Sequence, residues 1–277
     1  MRKRYYLIGA LTVTFAVGMT AVATGARTVV QKVEGDICKP ANGPCTRANA
    51  KLPIKKFKPV KVHVLLAARD SVDPESCSAS PQPAGACRVP PASDLVHVDF
   101  DNDIRFFPKS RGVGRCSPAS VSGVPTATAR GNCPKGLVGT GTAFARFGAV
   151  GTPGTGDVPA TLSAFNSTAL GRVIFLVDPG FVPFTLTGTL HKSPQRGDYG
   201  RRLSTPVVAP NVLVRFDIKI KKFGYVRARC RDRNRKFNFH VLFRYGDQGV
   251  APDNYPATTD RFDVDRCKKI KRKRKRR

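Results

Sequence analysis

Apolar and polar residues alternate with a period of two along much of the chain. Val96, Val98 and Phe100 fall on one face of an extended segment, and His97, Asp99 and Asp101 fall on the other. Val212, Val214, Phe216, Ile218 and Ile220 oppose Arg215, Asp217, Lys219 and Lys221 in the same way, and Phe237, Phe239, Val241 and Phe243 oppose Lys236, Asn238, His240 and Arg244. This is the pattern of half-buried antiparallel strands. Further strands are predicted over residues 59–67, 137–147, 159–166, 172–177, 182–191 and 223–230. Val173 to Val177 is apolar throughout, as a central strand covered on both faces would be. Gly-, Asp- and Pro-containing turns such as Asp178-Pro179-Gly180 and Gly197-Asp198-Tyr199-Gly200 separate these runs. The best helix candidate is short, residues 126–132. Many short strands spaced by turns predict an all-β fold, an antiparallel β-sandwich with Greek-key connections.

One turn invites another reading. GTPGTGD at 151–157 resembles a phosphate-cradling loop, but Asp157 and Val158 stand where such a loop needs Lys followed by Ser or Thr. A carboxylate there repels a triphosphate. The stretch reads instead as a hairpin loop joining the strands on either side.

The chain opens MRKRYYLIGALTVTFAVGMTAVATGA, a basic stub followed by an uncharged apolar run that ends in small residues. Residues 1–26 thus read as a secretory signal peptide, with Ala21-Val22-Ala23 or Thr24-Gly25-Ala26 as the cut. The run is also about twenty residues long, enough to span a bilayer as an uncleaved anchor. Both readings place the body outside the cytoplasm, extracellular or associated with the cell envelope. The eight cysteines, Cys38, Cys45, Cys77, Cys87, Cys116, Cys133, Cys230 and Cys267, form no CxxC pair. That argues against zinc and thioredoxin-like redox chemistry and for structural disulfides. Many connectivities are open to eight cysteines; neighbour-with-neighbour pairing in chain order is expected because short loops close most easily.

Charge divides the rest. Residues 27–57 read as an extended basic lead, 58–267 as the β domain, and 268–277 as a disordered polybasic tail, since like charges at that density cannot pack. Of the formal +29 charge, the first stub carries 3 and the tail 9, so 17 remain on the body. Candidate anion-binding residues are Lys219, Lys221, Lys222, Arg227, Arg229, Arg231, Arg233 and Arg235, together with Lys268, Lys269, Lys271, Arg272, Lys273, Arg274, Lys275, Arg276 and Arg277. The excess exceeds what solubility requires. It points to an exported, non-catalytic, monomeric protein held by charge to an anionic cell-wall polymer or acidic lipid surface, with unspecific nucleic-acid binding in vitro. The alternative is a secreted ligand-binding or hydrolytic module whose charge is incidental. A deep pocket favours the second reading and a broad positive face the first.

Two clusters carry candidate chemistry. Asp99, Asp101 and Asp103 share one strand face and resemble the start of a calcium loop, yet Ile104 stands where that loop needs Gly, and Ser110 where it needs a bidentate Glu. The simpler reading is a solvated acidic edge. His63, His97, His191 and His240 fall singly on faces expected to be wet. There is no GxSxG and no HExxH motif, and nothing calls for a cofactor. Asn166-Ser167-Thr168 is a glycosylation sequon by pattern.

The set DFDNDIRFFP at 99–108, Cys116, CPKGLVGTGTA at 133–143, SAFN at 163–166, YVRARC at 225–230, FRYGD at 243–247 and Cys267 resembles exported proteins of high-GC Gram-positive bacteria. The resemblance spans roughly residues 58–267 and carries no activity with it. It implies pairing of Cys116 with Cys133 and of Cys230 with Cys267.

Overall fold

The computed structural model describes residues 29–38, 50–54, 56–195, 197–207, 212–230, 236–245 and 258–269. Strands β1 (Val29–Cys38), β2 (Ala50–Leu52), β3 (Lys58–Pro59) and β4 (Lys61–Asp70) precede a helical turn, α1 (Ser76–Ala79). Then come β5 (Leu95–Asp101), β6 (Ile104–Phe106) and α2 (Thr126–Asn132), the helix expected there. Five strands follow in a meander: β7 (Leu137–Arg146), β8 (Asp157–Asn166), β9 (Arg172–Asp178), β10 (Phe184–Lys192) and β11 (Tyr199–Pro206). The chain continues through β12 (Val212–Ile220), β13 (Val226–Ala228), β14 (Lys236–Arg244) and β15 (Thr258–Lys269). No helix among the described residues is long and apolar enough to cross a membrane. The apolar run at the start of the chain lies outside them.

Twelve strands share one hydrogen-bonded order, β1-β4-β12-β7-β8-β9-β10-β11-β5-β14-β15-β2. The meander forms its middle. β12 returns across the whole meander to lie beside β7, a Greek-key type of return. All these pairs are antiparallel except β15 with β2. The two ends of the order then approach each other. The backbone N–H of Gly35 on β1 donates to Asp263 Oδ2 on β15 at 2.7 Å, and Gln31 donates to the Tyr245 hydroxyl. Gly35 is required at this seam: a Cβ there would lie 2.4 Å from the Phe239 ring of β14. The sheet is therefore nearly closed and barrel-like, and its opposite walls face each other across a shared core. The all-β antiparallel class expected from the alternation is what the structure shows.

Residues 29–38, expected within an extended lead, are instead a full strand that pairs with β4 over ten residues. Lys268 and Lys269, expected in the tail, belong to β15; residues 270–277 lie outside the described residues. A second sheet, ordered β3-β13-β6, covers the end of the barrel-like sheet at which β4 begins and β5 and β12 finish.

The core has three parts. Inward-facing side chains from all around the sheet, with Tyr225, Val226 and Ala228 of the covering sheet and its lead-in, make the main cluster. Outside, Phe165, Ile174 and Leu176 are buried beneath the Cys116–Cys133 segment and α2, and Val212 and Val214 are packed with Val89. This explains the unbroken apolar run of β9: Val173, Phe175 and Val177 face in, while Ile174 and Leu176 meet the outer segment. Gly141 is needed for packing of adjacent strands, since a Cβ there would lie 1.9 Å from the Asp217 carbonyl oxygen.

Disulfides join Cys77 to Cys87, Cys116 to Cys133 and Cys230 to Cys267, in chain order as expected. Cys38 is also disulfide-bonded, and Cys45, its expected partner, lies outside the described residues. The Cys230–Cys267 bond closes a separation of 37 residues and ties the chain leaving β13 to β15. Replacing both with Ala is expected to destabilise the protein by about 4 kcal/mol through loop-closure entropy, read as a lowered urea midpoint. An unchanged midpoint would show that this bond does not hold the covering sheet in place.

Candidate functional site

Closing an antiparallel sheet puts alternate side chains of every strand into one interior. Here Val62, Val64 and Leu66 of β4 meet Val96, Val98 and Phe100 of β5, Val173 and Phe175 of β9, Leu186 and Leu190 of β10, and Phe216, Ile218 and Ile220 of β12. These side chains do not fill the space. They leave a cavity of about 110 Å³ reaching from Phe106 and Tyr225, under the covering sheet, to Val207 and Tyr245 at the other end. Among the described residues, the only side-chain polar atoms in its wall are the hydroxyls of Ser93, Thr205, Tyr225 and Tyr245. The volume would admit about four waters, but a buried water needs two to four polar partners and this wall offers few. The Tyr225 hydroxyl is buried without any hydrogen-bond partner, and burial raises its pKa above the ordinary phenol range.

The polar alternates point outward, and many are nevertheless buried. Asp99 sits directly opposite Arg202 of β11 and His240 of β14, forming a row across three strands. Arg202 donates to both carboxylate oxygens at 2.8 and 2.6 Å, His240 Nδ1 lies 2.8 Å from Oδ2, and Ser193 Oγ donates to Oδ1 at 2.6 Å. Burial alone would raise the Asp99 carboxyl, but these hydrogen bonds outweigh it and hold the pKa below the usual range. Serine, aspartate and histidine thus meet in space, yet the serine contacts the carboxylate and not the imidazole. Among the described residues, no imidazole reaches its hydroxyl, so it lacks the serine-to-histidine link of a catalytic triad.

A second row lies on β1, β4 and β12. His63 Nδ1 is 3.0 Å from Asp36 Oδ2, and Nε2 is 2.9 Å from Asp217 Oδ1. With a carboxylate at each nitrogen the ring is a doubly protonated imidazolium. Hydrogen bonds to Asp217 and then Asp36 lift its pKa to about 9 against the opposing effect of burial.

The GTPGTGD stretch is the loop joining β7 and β8, as the sequence predicts, with Gly151 and Gly156 at positive φ. Asp157 faces Arg146 in register and is held in a bidentate pair at 2.7 and 2.9 Å. Arg146 is 1% exposed, and its remaining donors reach the carbonyls of Cys77 and Arg88. The carboxylate that excludes a phosphate here anchors the Cys77–Cys87 segment.

The expected acidic edge is not at an edge. β5 lies between β11 and β14, and Asp99, Asp101 and Asp103 are all buried. The three do not converge. Asp99 is held by Arg202, Asp101 accepts the backbone N–H groups of Asp103 and Asn238, and Asp103 pairs with Arg229 at 3.0 Å. Burial pushes Asp101 up to about 6. Among the described residues, the one group spaced to hold a metal is Asp73 with Cys77 and Cys87, whose sulfurs already form a disulfide. His63 and His240, expected on wet faces, are buried; His97 is half-buried and His191 exposed. Asn166 is also buried, and its amide donates to the carbonyls of Pro108 and Gly114.

Of the basic candidates, Lys219 and Lys221 are exposed and Lys222 is half-buried. Arg227 stacks on Phe107 at 4.6 Å, and Arg229 stacks on Phe57 at 4.8 Å. Arg231, Arg233, Arg235 and residues 271–277 lie outside the described residues. The structure therefore gathers an apolar cavity that no sequence motif announces. Its only sequence signal is that the inward set of each strand is almost free of polar residues. Compared with family models, curated proteins and solved structures, the chain matches none.

Two outcomes follow from these rows. The His63 pKa rises from 6.5 to about 9 on folding, so its contribution is complete below pH 6.5 and disappears as pH climbs through 9. Stability should fall by about 3 kcal/mol across that window, and His63→Gln should flatten the profile of urea midpoint against pH. Asp157→Ala leaves the Arg146 charge buried and unpaired, with an expected loss of about 3–5 kcal/mol, measured by the same denaturation.

Proposed function

We propose that this chain is an exported protein that binds an apolar small molecule inside its barrel-like sheet. The observation that carries this reading is the cavity of about 110 Å³ whose wall is almost wholly apolar and is contributed by strands on all sides. An unfilled space of that kind loses dispersion contacts and cannot be offset by ordered water. Concave, apolar sites with a few polar groups are the common form of small-molecule sites. Disulfides at Cys77–Cys87, Cys116–Cys133 and Cys230–Cys267 are consistent with an extracellular or exported setting. The described wall offers no histidine or carboxylate, so within the second sequence-based reading it supports binding over hydrolysis.

Attraction to an anionic wall polymer or lipid surface remains a compatible second reading. It is favoured by the exposed Lys219 and Lys221 and by the formal charge of +29.

Filling the cavity tests the first reading. Val98→Trp places an indole in the interior, and binding of an apolar fluorescent probe should weaken more than about tenfold. Thermal stability should hold or rise, as cavity filling commonly stabilises. Probe binding unchanged in a folded variant would move the site elsewhere.

A further inference from the structure

The end of the cavity under the covering sheet carries features that an apolar ligand alone leaves unused. There Phe106 packs edge-on to Phe100 at 4.9 Å and to Tyr225 at 6.0 Å. The same Phe106 borders a wider polar cleft, about 500 Å³, together with Arg105, Lys192 and Arg201. One side chain thus belongs to the wall of both spaces.

The three cations differ from several arginines of the fold. Arg146, Arg202 and Arg229 are each paired with a carboxylate. Arg105, Lys192 and Arg201 are exposed and have no carboxylate partner among the described residues. Arg105 lies over the Phe57 ring at 4.5 Å, which steadies the guanidinium and leaves its hydrogen-bond donors open. On the inner side of Phe106, the Tyr225 hydroxyl is buried with no hydrogen-bond partner. Leaving such a group unsatisfied is costly, and a polar ligand atom would recover that cost. An unmet donor inside and an unmatched group of cations outside flank the same aromatic ring.

Building on the interior-binding reading, we infer that the ligand is a single-chain anionic amphiphile, a fatty carboxylate or an alkyl phosphate. Its hydrocarbon occupies the cavity, and its head group lies past Phe106, within reach of Tyr225, Arg105, Lys192 and Arg201. A cavity of this volume, smaller than the roughly 150 Å³ that takes one benzene, holds one chain of only a few carbons. The charge excess of the molecule raises the local concentration of such ligands before they bind.

The test is isothermal titration of the disulfide-intact protein with four probes of one short chain length that the cavity can take: pentanoate, pentyl phosphate, pentanol and pentyltrimethylammonium. Inorganic phosphate and anionic vesicles serve as separate arms. The expected result is that both anions bind roughly tenfold to a hundredfold more tightly than pentanol and that the cation binds least. The triple variant Arg105→Gln, Lys192→Gln, Arg201→Gln should erase that preference while pentanol binding stays the same. Tyr225→Phe should weaken the anions and raise the melting temperature of the empty protein.

If pentanol matches pentanoate, the head-group inference falls and interior binding stands. If none of the four probes binds, the interior reading itself falls. Tight binding of inorganic phosphate alone would mean a free-anion site, and binding to vesicles without binding to monomers would mean a membrane-docking face. Either result overturns the inference. Should the triple variant fail to fold, the order of the four probes on the unaltered protein, and its loss at high salt, decide the question.

Discussion

Closure of one long sheet is the constraint on which the rest of this structure depends. An open sheet of this length would leave two edges of unpaired backbone and an apolar face exposed to water. The approach of β1 to β14 and β15 covers part of that apolar face, and it is a tight one: Gly35 lies flat against the Phe239 ring, while its N–H is taken by Asp263. Once the walls face each other, the number of strands sets the width of the interior. The inward side chains, large as many of them are, do not span it. The cavity is thus a geometric result of closure, not a defect of packing at any one residue.

Closure also sorts the charges. The alternates that point outward on β4, β5, β7, β8, β11, β12 and β14 include His63, Asp99, Arg146, Asp157, Arg202, Asp217 and His240, and most of these are matched across adjacent strands. Buried charges persist where hydrogen bonds satisfy them from several sides. Because several of the scarce carboxylates are engaged in these rows, fewer remain to neutralise exposed lysine and arginine. Arg146, Arg202 and His63 are taken into the same rows, so the positive excess of the sequence stays at the surface, and the unmatched cations at the covered end are one expression of it.

Local signals were readable in the sequence and long-range ones were not. β5 and β14 show clean alternation, β9 shows a run covered on both faces, and the β7–β8 loop and α2 carry ordinary turn and helix chemistry; each lies where the sequence places it. β12 also lies where expected, but a bulge between Leu213 and Arg215 turns Val212 and Val214 to the outer cluster, away from the inward Phe216, Ile218 and Ile220. β1 is obscured by Gln31, Lys32, Glu34 and Asp36, of which Gln31 and Asp36 are buried against partners distant in sequence. β11 begins with a Tyr-Gly pair and ends at Pro206, which read as turn residues. β15 is dense in Asp and Arg and lacks an apolar period. Asp99 and His240 were assigned to a wet face because alternation gives only the side of the strand. Whether the 193–199 segment lies over that side is a tertiary fact. The cavity follows the same rule: parity tells which residues face inward, but not how far apart the walls stand.

The approach of the described N-terminal strand to the C-terminal one also governs the order in which the molecule can form. The meander from β7 to β11 is made of neighbours and can assemble as soon as it emerges. β1, by contrast, reaches its seam partner Asp263 only across 228 residues of chain. Long-range pairings of this kind form slowly and leave apolar surface exposed while they wait. The interior therefore does not exist as an enclosed space until the last strand has arrived. A chain that has not yet placed that strand is a half-open trough, able to be lined by a hydrophobic companion before its wall is complete.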